Sequence, residues 1–302
     1  MMIPDYQSTM LPVLKRLGDR QEHKFRELIE DLSKEFKVTD EERKELLPSG
    51  TQPIFDNRVG WARTYLKKAG LIESPKRAIT IITQLGLDVL EKKPEMINVA
   101  FLKQFPAFIE FQTLKRDETE GVYNETTIQT PEENLDSIYV ELRKSLAHDI
   151  LNQVISMTPA FFEKLVVELL VKMGYGGSLK DAGKAIGKSG DEGIDGTIKE
   201  DKLGLDIIYI QAKRWQIGNS VGRPEIQKFV GALAGQGAKK GIFITTSSFT
   251  KDAIEYSPKN ETKIVLIDGT QLAQLMIDYN IGVSTLKTYE IKRVDNDFFE
   301  DE

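Results

Sequence analysis

GDEGIDGTIKEDKLGLDIIYIQAKRW, residues 190–215, decides the reading of this chain. GIDGTIKE and LDIIYIQAKRW read as two strands around a turn at Asp201 to Gly204, where Asp and Gly supply the usual turn chemistry. In the second strand Gln211 and Lys213 are two residues apart and share a face, while Ile210 and Ala212 point the other way. If Lys199 pairs with a residue near Ile207, Asp195 falls opposite Gln211. A carboxylate, a carboxamide oxygen and an ammonium then converge at the mouth of the hairpin. That set suits phosphodiester hydrolysis. The two oxygens can hold Mg²⁺, a hard ion that prefers oxygen ligands and keeps several waters, and such an ion activates water and neutralises phosphate charge. The lysine can orient or deprotonate the attacking water and balance developing negative charge. Taken singly, Asp195 between glycines also suits a tight turn, and Gln-x-Lys is common in structural strands.

The flanking segments give the context. Thr158-Pro159 starts a helix, AFFEKLVVELLVKM, that stops at Gly174. PEIQKFVGALAGQ is helical, GIFITT and KIVLID are strands, and TQLAQLMIDY is a final helix. Strands alternating with helices imply an α/β sheet covered on both faces. Upstream, Asp5 and Pro12 interrupt a short apolar pattern. A helix is expected over residues 23–36, with Phe25, Leu28, Ile29, Leu32 and Phe36 at helical spacing. Thr39 and Glu42 form a capping box for a short helix that ends before Pro48. FDNRVGWARTYLKKAGLI carries Val59, Ala62, Tyr65 and Leu66 on one face, and AITIITQLG, residues 78–86, reads as a strand. Three helices followed by a strand is the order of a winged helix-turn-helix. Between the halves, residues 112–134 are polar, acidic and without apolar periodicity, and read as a linker. A helix from about 131 to 156 follows.

The second half resembles the Mrr restriction endonucleases, a branch of the PD-(D/E)XK nuclease superfamily whose second acid is replaced by glutamine. The matching pieces are FEKLVVELLVKMGYGG (162–177), GIDG (193–196), QAKRW (211–215), VGRPEIQKFVGALAG (221–235) and GIFITTSSFT (241–250), in order. The first half also looks like the winged-helix domain that precedes the nuclease in this family. The expected fold is thus two domains, a mostly α winged helix-turn-helix followed by an α/β restriction-endonuclease-like domain with a mixed central sheet. The expected limits are 1–105 for the winged helix, 106–157 for the linker and connecting helix, 158–285 for the nuclease and 286–302 for an acidic tail.

The resemblance implies roles. Asp195 matches the metal-binding acid, Gln211 the substituted acid and Lys213 the catalytic lysine. Glu163, early in the domain's first helix, matches an acid that several branches place beside the metal, although it also reads as a surface charge next to Lys164, Glu168 and Lys172. The implied metal ligands are Asp195, Gln211 and Glu163, and the implied cofactor is Mg²⁺ or Mn²⁺. Glu192 stands where the family commonly has glycine, which adds a carboxylate near the site. Gln227 reads either as facing the site and the DNA backbone or as an ordinary exposed helix residue. Family members typically cut DNA carrying methylated bases, so a modification-dependent endonuclease is the implied activity. A repair or recombination nuclease of the same superfamily, or a non-cutting DNA-binding regulator, stays open.

Composition limits the alternatives. The 302 residues suggest two domains, and with 40% hydrophobic and 29% charged residues both can bury cores. There is no cysteine and there are only two histidines, His23 and His148. Disulfides and thiolate metal sites are excluded, a multi-histidine site is almost excluded, and any catalytic metal must be held mainly by oxygen. No signal peptide or apolar span of ~20 residues is present, so a cytoplasmic protein without membrane association is expected. The net charge of −6 requires any DNA-binding surface to be a local concentration of cations. Arg58, Arg63, Lys67, Lys68, Lys76 and Arg77 provide one against a single acid, Glu73, and are expected to touch phosphate. Cutting both strands of double-stranded DNA needs two active sites, so a homodimer or higher oligomer is expected. The acidic tail, Asp295, Asp297, Glu300, Asp301 and Glu302, reads as solvated.

Overall fold

A computed structural model of the chain describes residues 3–76, 78–113, 128–176, 193–201, 204–216, 218–256 and 262–294. These residues form two compact units, Met1–Val140 with Lys292–Glu302, and Glu141–Ile291. Arg77, Glu192, the greater part of the polar stretch and the acidic residues of the tail lie outside the described residues.

The first unit begins with α1 (Tyr6–Arg16). Asp5 caps it by accepting the N–H groups of Gln7 and Ser8, and Pro12 lies inside it. Neither residue interrupts the N-terminal pattern. The backbone hydrogen bond that Pro12 cannot make is offset by burial of Met10, Val13, Leu14 and Leu17 along one stripe. A short strand β1 (His23–Lys24) precedes α2 (Phe25–Glu35), so the helix expected from His23 starts two residues later. His23 and Lys24 are drawn into the sheet by pairing with Thr80 and Ile79. The Thr39–Glu42 capping box opens α3 (Asp40–Lys44).

Next comes α4 (Ile54–Lys68), followed by the hairpin of β2 (Ile72–Glu73) and β3 (Ile79–Ile82). The sheet order is β1-β3-β2, all antiparallel. Helix, strand, helices, then a two-stranded wing is a winged helix-turn-helix, with α4 in the position of the recognition helix. The strand expected over 78–86 stops at Ile82, because the Thr83 hydroxyl accepts the Gly86 N–H and starts α5 (Gln84–Glu91). Helices α6 (Val99–Leu102) and α7 (Pro106–Thr113) complete the core, where Tyr65 packs against Tyr6, Trp61, Phe108 and Phe111.

The division between units falls within α8 (Pro131–Ser156). The second unit continues with α9 (Pro159–Lys172), capped by Thr158. A four-stranded mixed sheet follows in the order β4-β5-β6-β7: β4 (Gly196–Lys199), β5 (Ile207–Lys213), β6 (Lys240–Thr245) and β7 (Lys263–Ile267). β4 and β5 are antiparallel, and the other pairs are parallel. The β6 stretch Gly241–Thr245 is wholly buried, as a central parallel strand must be. One sheet face packs Ile208 and Ile210 against α8, α9 and α12 (Gly269–Asp278). The other packs Tyr209, Trp215 and Phe243 against α10 (Arg223–Gly235) and α11 (Lys251–Tyr256). This is a three-layer α/β architecture with a mixed sheet. No described helix is long and apolar enough to cross a membrane.

Candidate active site

The hairpin register fixes the site. Lys199 pairs with Ile207 and Gly196 with Ile210, so Asp195 lies one step beyond the ladder, opposite Gln211. Its N–H donates to the Ile210 carbonyl at 2.9 Å. One oxygen of its carboxylate accepts the Ala212 N–H at 2.7 Å. That N–H lies between Gln211 and Lys213, where the strand has outrun its antiparallel partner. Asp195 therefore closes the open edge of Gln-x-Lys and keeps its second oxygen as a possible ligand.

Gln211 is 3% exposed, and its amide lies under Gly193. Gly193 has φ of +104°, and a Cβ there would approach the amide nitrogen to 3.5 Å and the amide oxygen to 3.6 Å. A side chain at 193 would thus meet both backbone strain and the Gln211 amide. Lys213, the last residue of β5, is half-buried on the same face. Arg214 points to the opposite face, where it donates to the Ile155 carbonyl at 2.5 Å.

Glu163 joins this group from the first turns of α9. Its carboxyl is held above the usual range, first by burial, then by the neighbouring Asp195 charge, with Lys213 opposing both. Lys164, Glu168 and Lys172 on the same helix are exposed. Gln227 is exposed on α10, whose buried side carries Ile226, Phe229 and Leu233. Among the described residues no hydrogen bond ties Gln227 to the group.

These donors fit a hard divalent ion. A carboxyl held up by burial and by the neighbouring Asp195 charge is a group a cation would relieve, and the Gln211 amide adds an uncharged oxygen donor. Among the described residues no three carboxylate or imidazole side chains gather closely enough to hold a metal.

The raised carboxyl makes stability depend on pH. An acid whose pKa is raised on folding binds its proton more tightly folded than unfolded. Stability from this group is greatest while Glu163 is protonated and falls as pH rises from its unfolded to its folded pKa. In EDTA at pH 8, Glu163→Gln should melt higher than the parent chain. With metal, its cleavage should be slower, and the acid limb of the wild-type pH–rate profile should flatten. Equal melting temperatures together with wild-type cutting would remove Glu163 from the site.

The expected DNA-binding cations divide. Arg58 is turned inward: its side chain is 14% exposed, pairs with Glu133 at 2.8 Å, and donates to the carbonyls of Ile3 and Pro4 at 2.7 and 3.2 Å. It is committed to the fold, so its assignment to phosphate is not supported. Arg63 stacks 4.2 Å over the Phe25 ring, and burial lowers its pKa. Lys67, Lys68 and Lys76 are exposed, at the end of α4 and on the wing, with Lys68 5.1 Å from the Phe111 ring centre. Lys67→Ala with Lys68→Ala should weaken DNA binding and reduce the slope of log K against log[salt] by about 0.9 for each phosphate that is no longer neutralised. Fluorescence anisotropy across a salt series measures this, and an unchanged slope would count against both lysines.

A winged helix followed by an α/β domain whose hairpin mouth carries Asp195, Gln211 and Lys213 has the build of a restriction-endonuclease-type nuclease. Comparison with known proteins agrees. Residues 154–276 match the model of a restriction endonuclease domain and residues 6–92 that of the Mrr N-terminal domain. The chain is 38% identical over 313 residues to the Type IV methyl-directed restriction enzyme EcoKMrr of Escherichia coli (strain K12), covering 99% of this chain and 100% of that protein. It belongs to the Mrr family of restriction endonucleases. Solved structures similar to it include the MspJI restriction endonuclease in complex with a 27-mer oligonucleotide, at TM-score 0.35 and 22% identity, covering 46% of this chain and 33% of that one. Another is the DNA modification-dependent restriction endonuclease AspBHI, at TM-score 0.37 and 17% identity, covering 47% and 36%.

Proposed function

We propose that this chain is a modification-dependent restriction endonuclease that hydrolyses methylated double-stranded DNA in the cytoplasm, using Mg²⁺ or Mn²⁺, as a homodimer or larger assembly. The observation that supports it most is the Asp195 carboxylate bonded to the Ala212 N–H between Gln211 and Lys213. The modified substrate is inferred from the relative that is 38% identical and named a methyl-directed enzyme.

Asp195, Glu163 and the Gln211 amide oxygen would hold the ion. When bound, a divalent ion lowers the pKa of water and neutralises phosphate charge. Lys213 orients the attacking water, takes up its proton or balances charge on the phosphate. Gly193 leaves the backbone above Gln211 bare. Lys67, Lys68 and Lys76 in the winged helix hold the duplex, and two chains supply one active site per strand.

The deciding experiment incubates the full chain with methylated and unmethylated plasmid, with Mg²⁺ and with EDTA. Cutting only of methylated plasmid and only with Mg²⁺ is expected. Equal cutting of both plasmids would favour a repair or recombination role, and binding without cutting a regulator. Gln211 contributes oxygen without charge, so Gln211→Glu should bind Mg²⁺ more tightly by calorimetry. No gain in affinity would remove it as a ligand.

A further inference from the structure

Lys213 is useful only if its ammonium is held still, and its strand ends at that residue. On the β4 edge the backbone is closed by Asp195. On the β6 edge the closure is made by two threonines. Thr245 sits beside Lys213 in the parallel register, is fully buried, and donates its hydroxyl to the Lys213 carbonyl at 2.8 Å while accepting the Ser247 N–H at 3.2 Å. The Thr246 N–H reaches the same carbonyl at 3.3 Å. The Thr246 hydroxyl, also fully buried, accepts the Trp215 N–H at 2.8 Å and donates to the Trp215 carbonyl at 2.6 Å.

One side-chain oxygen thus satisfies both backbone groups of Trp215 and carries the pairing two residues past the end of the β5 ladder. The far side is fixed too. The Gly269 N–H donates to the Ser247 carbonyl at 2.8 Å, and a Cβ on Gly269 would stand 2.4 Å from the Thr246 carbonyl oxygen. Only glycine lets α12 begin that close. Each hydroxyl donates one bond and accepts one, and three of those four bonds go to the backbone of Lys213 and Trp215. At Thr245, the last residue of β6, a strand needs only a β-branched side chain, and valine would serve packing as well. Hydroxyls at both positions serve to fix backbone beyond the regular ladder.

We infer that Thr245 and Thr246 are positioning residues for Lys213, a role that rests on the proposed nuclease chemistry. Their hydroxyls act through the backbone of Lys213 and Trp215. Removing either hydroxyl should let the Lys213 ammonium wander by a fraction of an ångström to an ångström, and a misplacement of that size costs up to about a hundredfold in rate.

The test uses Thr245→Val and Thr246→Val in the full chain, with Thr→Ser at each position as rescue. Wild type and Lys213→Ala run alongside. Single-turnover cleavage of methylated plasmid should fall about tenfold or more in the valine variants, with DNA affinity within about twofold of wild type. Serine should restore the rate to within about twofold. Valine variants that cut at the wild-type rate would overturn the inference, as would serine variants no faster than valine. Hydrogen exchange at the Trp215 amide supplies a readout independent of cutting: it should quicken in Thr246→Val and not in Thr246→Ser. If wild type does not cut at all, the nuclease reading fails and the Trp215 exchange alone decides the clamp, with unchanged exchange overturning it; if Lys213→Ala cuts as fast as wild type, the positioning role falls with the lysine's. Should Thr246→Val not fold, Thr246→Cys keeps a weak donor and acceptor; an intermediate rate loss is expected, and no loss overturns the role.

Discussion

Lys213→Ala should lower single-turnover DNA cleavage by on the order of 10² or more, while leaving melting temperature and DNA affinity nearly unchanged. The side chain is half-buried at the end of β5, and its own backbone is held by Thr245 and Thr246, so truncation removes a charge and little core. Lys213→Arg separates the two roles open to the lysine. An arginine keeps the positive charge but cannot surrender its proton. If Lys213 exchanges a proton with water, Lys213→Arg should be as slow as Lys213→Ala; if it only balances charge, part of the rate should return. Rates come from rapid quench with enzyme in excess, and affinity from anisotropy with Ca²⁺ in place of Mg²⁺. A Lys213→Ala protein that cuts near the wild-type rate would falsify the assignment of the lysine.

The site is legible in the sequence because its residues are tied by local geometry. A short turn with Asp201 and Gly204 leaves few registers for the hairpin, and the observed pairing of Lys199 with Ile207 brings Asp195 opposite Gln211. Alternation along β5 then puts Gln211 and Lys213 on one face without further information. The Thr158-Pro159 start and the long apolar stripe of α9 likewise come from adjacent residues. Glu163 is ambiguous for the opposite reason. Its helix neighbours Lys164 and Glu168 are exposed charges, whereas the burial and the distant Asp195 and Lys213 that act on its carboxyl come from the fold.

Periodicity does not reveal side chains that bond to backbone across long separations. GIFITT reads as a buried strand, but nothing in its pattern shows that the two threonine hydroxyls cap residues 213 and 215. Asp195 reads as a ligand or a turn residue, and its bond to the Ala212 N–H makes it a strand-edge cap as well. The cation cluster misleads in part because charge counting over residues 57–78 sees no acid except Glu73. The acid that matters to Arg58 is Glu133, 75 residues away and inside a segment whose composition reads as linker. Its neighbours are equally engaged. The Thr130 hydroxyl donates to the Asn57 side chain at 2.7 Å, the Thr130 N–H to Glu133 at 2.7 Å, and Asn57 donates to Glu132. A polar composition identifies surface chemistry and conceals a buried network.

That network carries the second large effect. The side chains of Arg58 and Glu133 are 14% and 7% exposed, and the guanidinium uses both Nε and Nη2 on the Glu133 carboxylate, at 2.9 and 2.8 Å. Replacing Arg58 by alanine leaves a buried carboxylate whose one remaining partner among the described residues is the Thr130 N–H, and strips a donor from the carbonyls of Ile3 and Pro4. Breaking one side of a buried pair typically costs about 3–5 kcal/mol, because the remaining charge stays desolvated. Arg58→Ala should therefore lower the stability of the first unit by roughly that amount. Arg58→Lys should recover part of it, since a lysine restores the charge but not the two-pronged contact. Trp61 lies in this unit and Trp215 in the other, so urea unfolding of a Trp215→Phe background followed by Trp61 fluorescence reads the first unit alone. Lys67→Ala, at an exposed position, serves as the control and should stay within about 0.5 kcal/mol of the parent. The salt dependence of DNA binding supplies the complementary measurement: Lys67→Ala should flatten it, and Arg58→Ala, below its unfolding transition, should not. If instead Arg58→Ala left stability within about 1 kcal/mol of the parent and flattened the salt dependence, Arg58 would be a phosphate ligand and the buried pair with Glu133 would be dispensable.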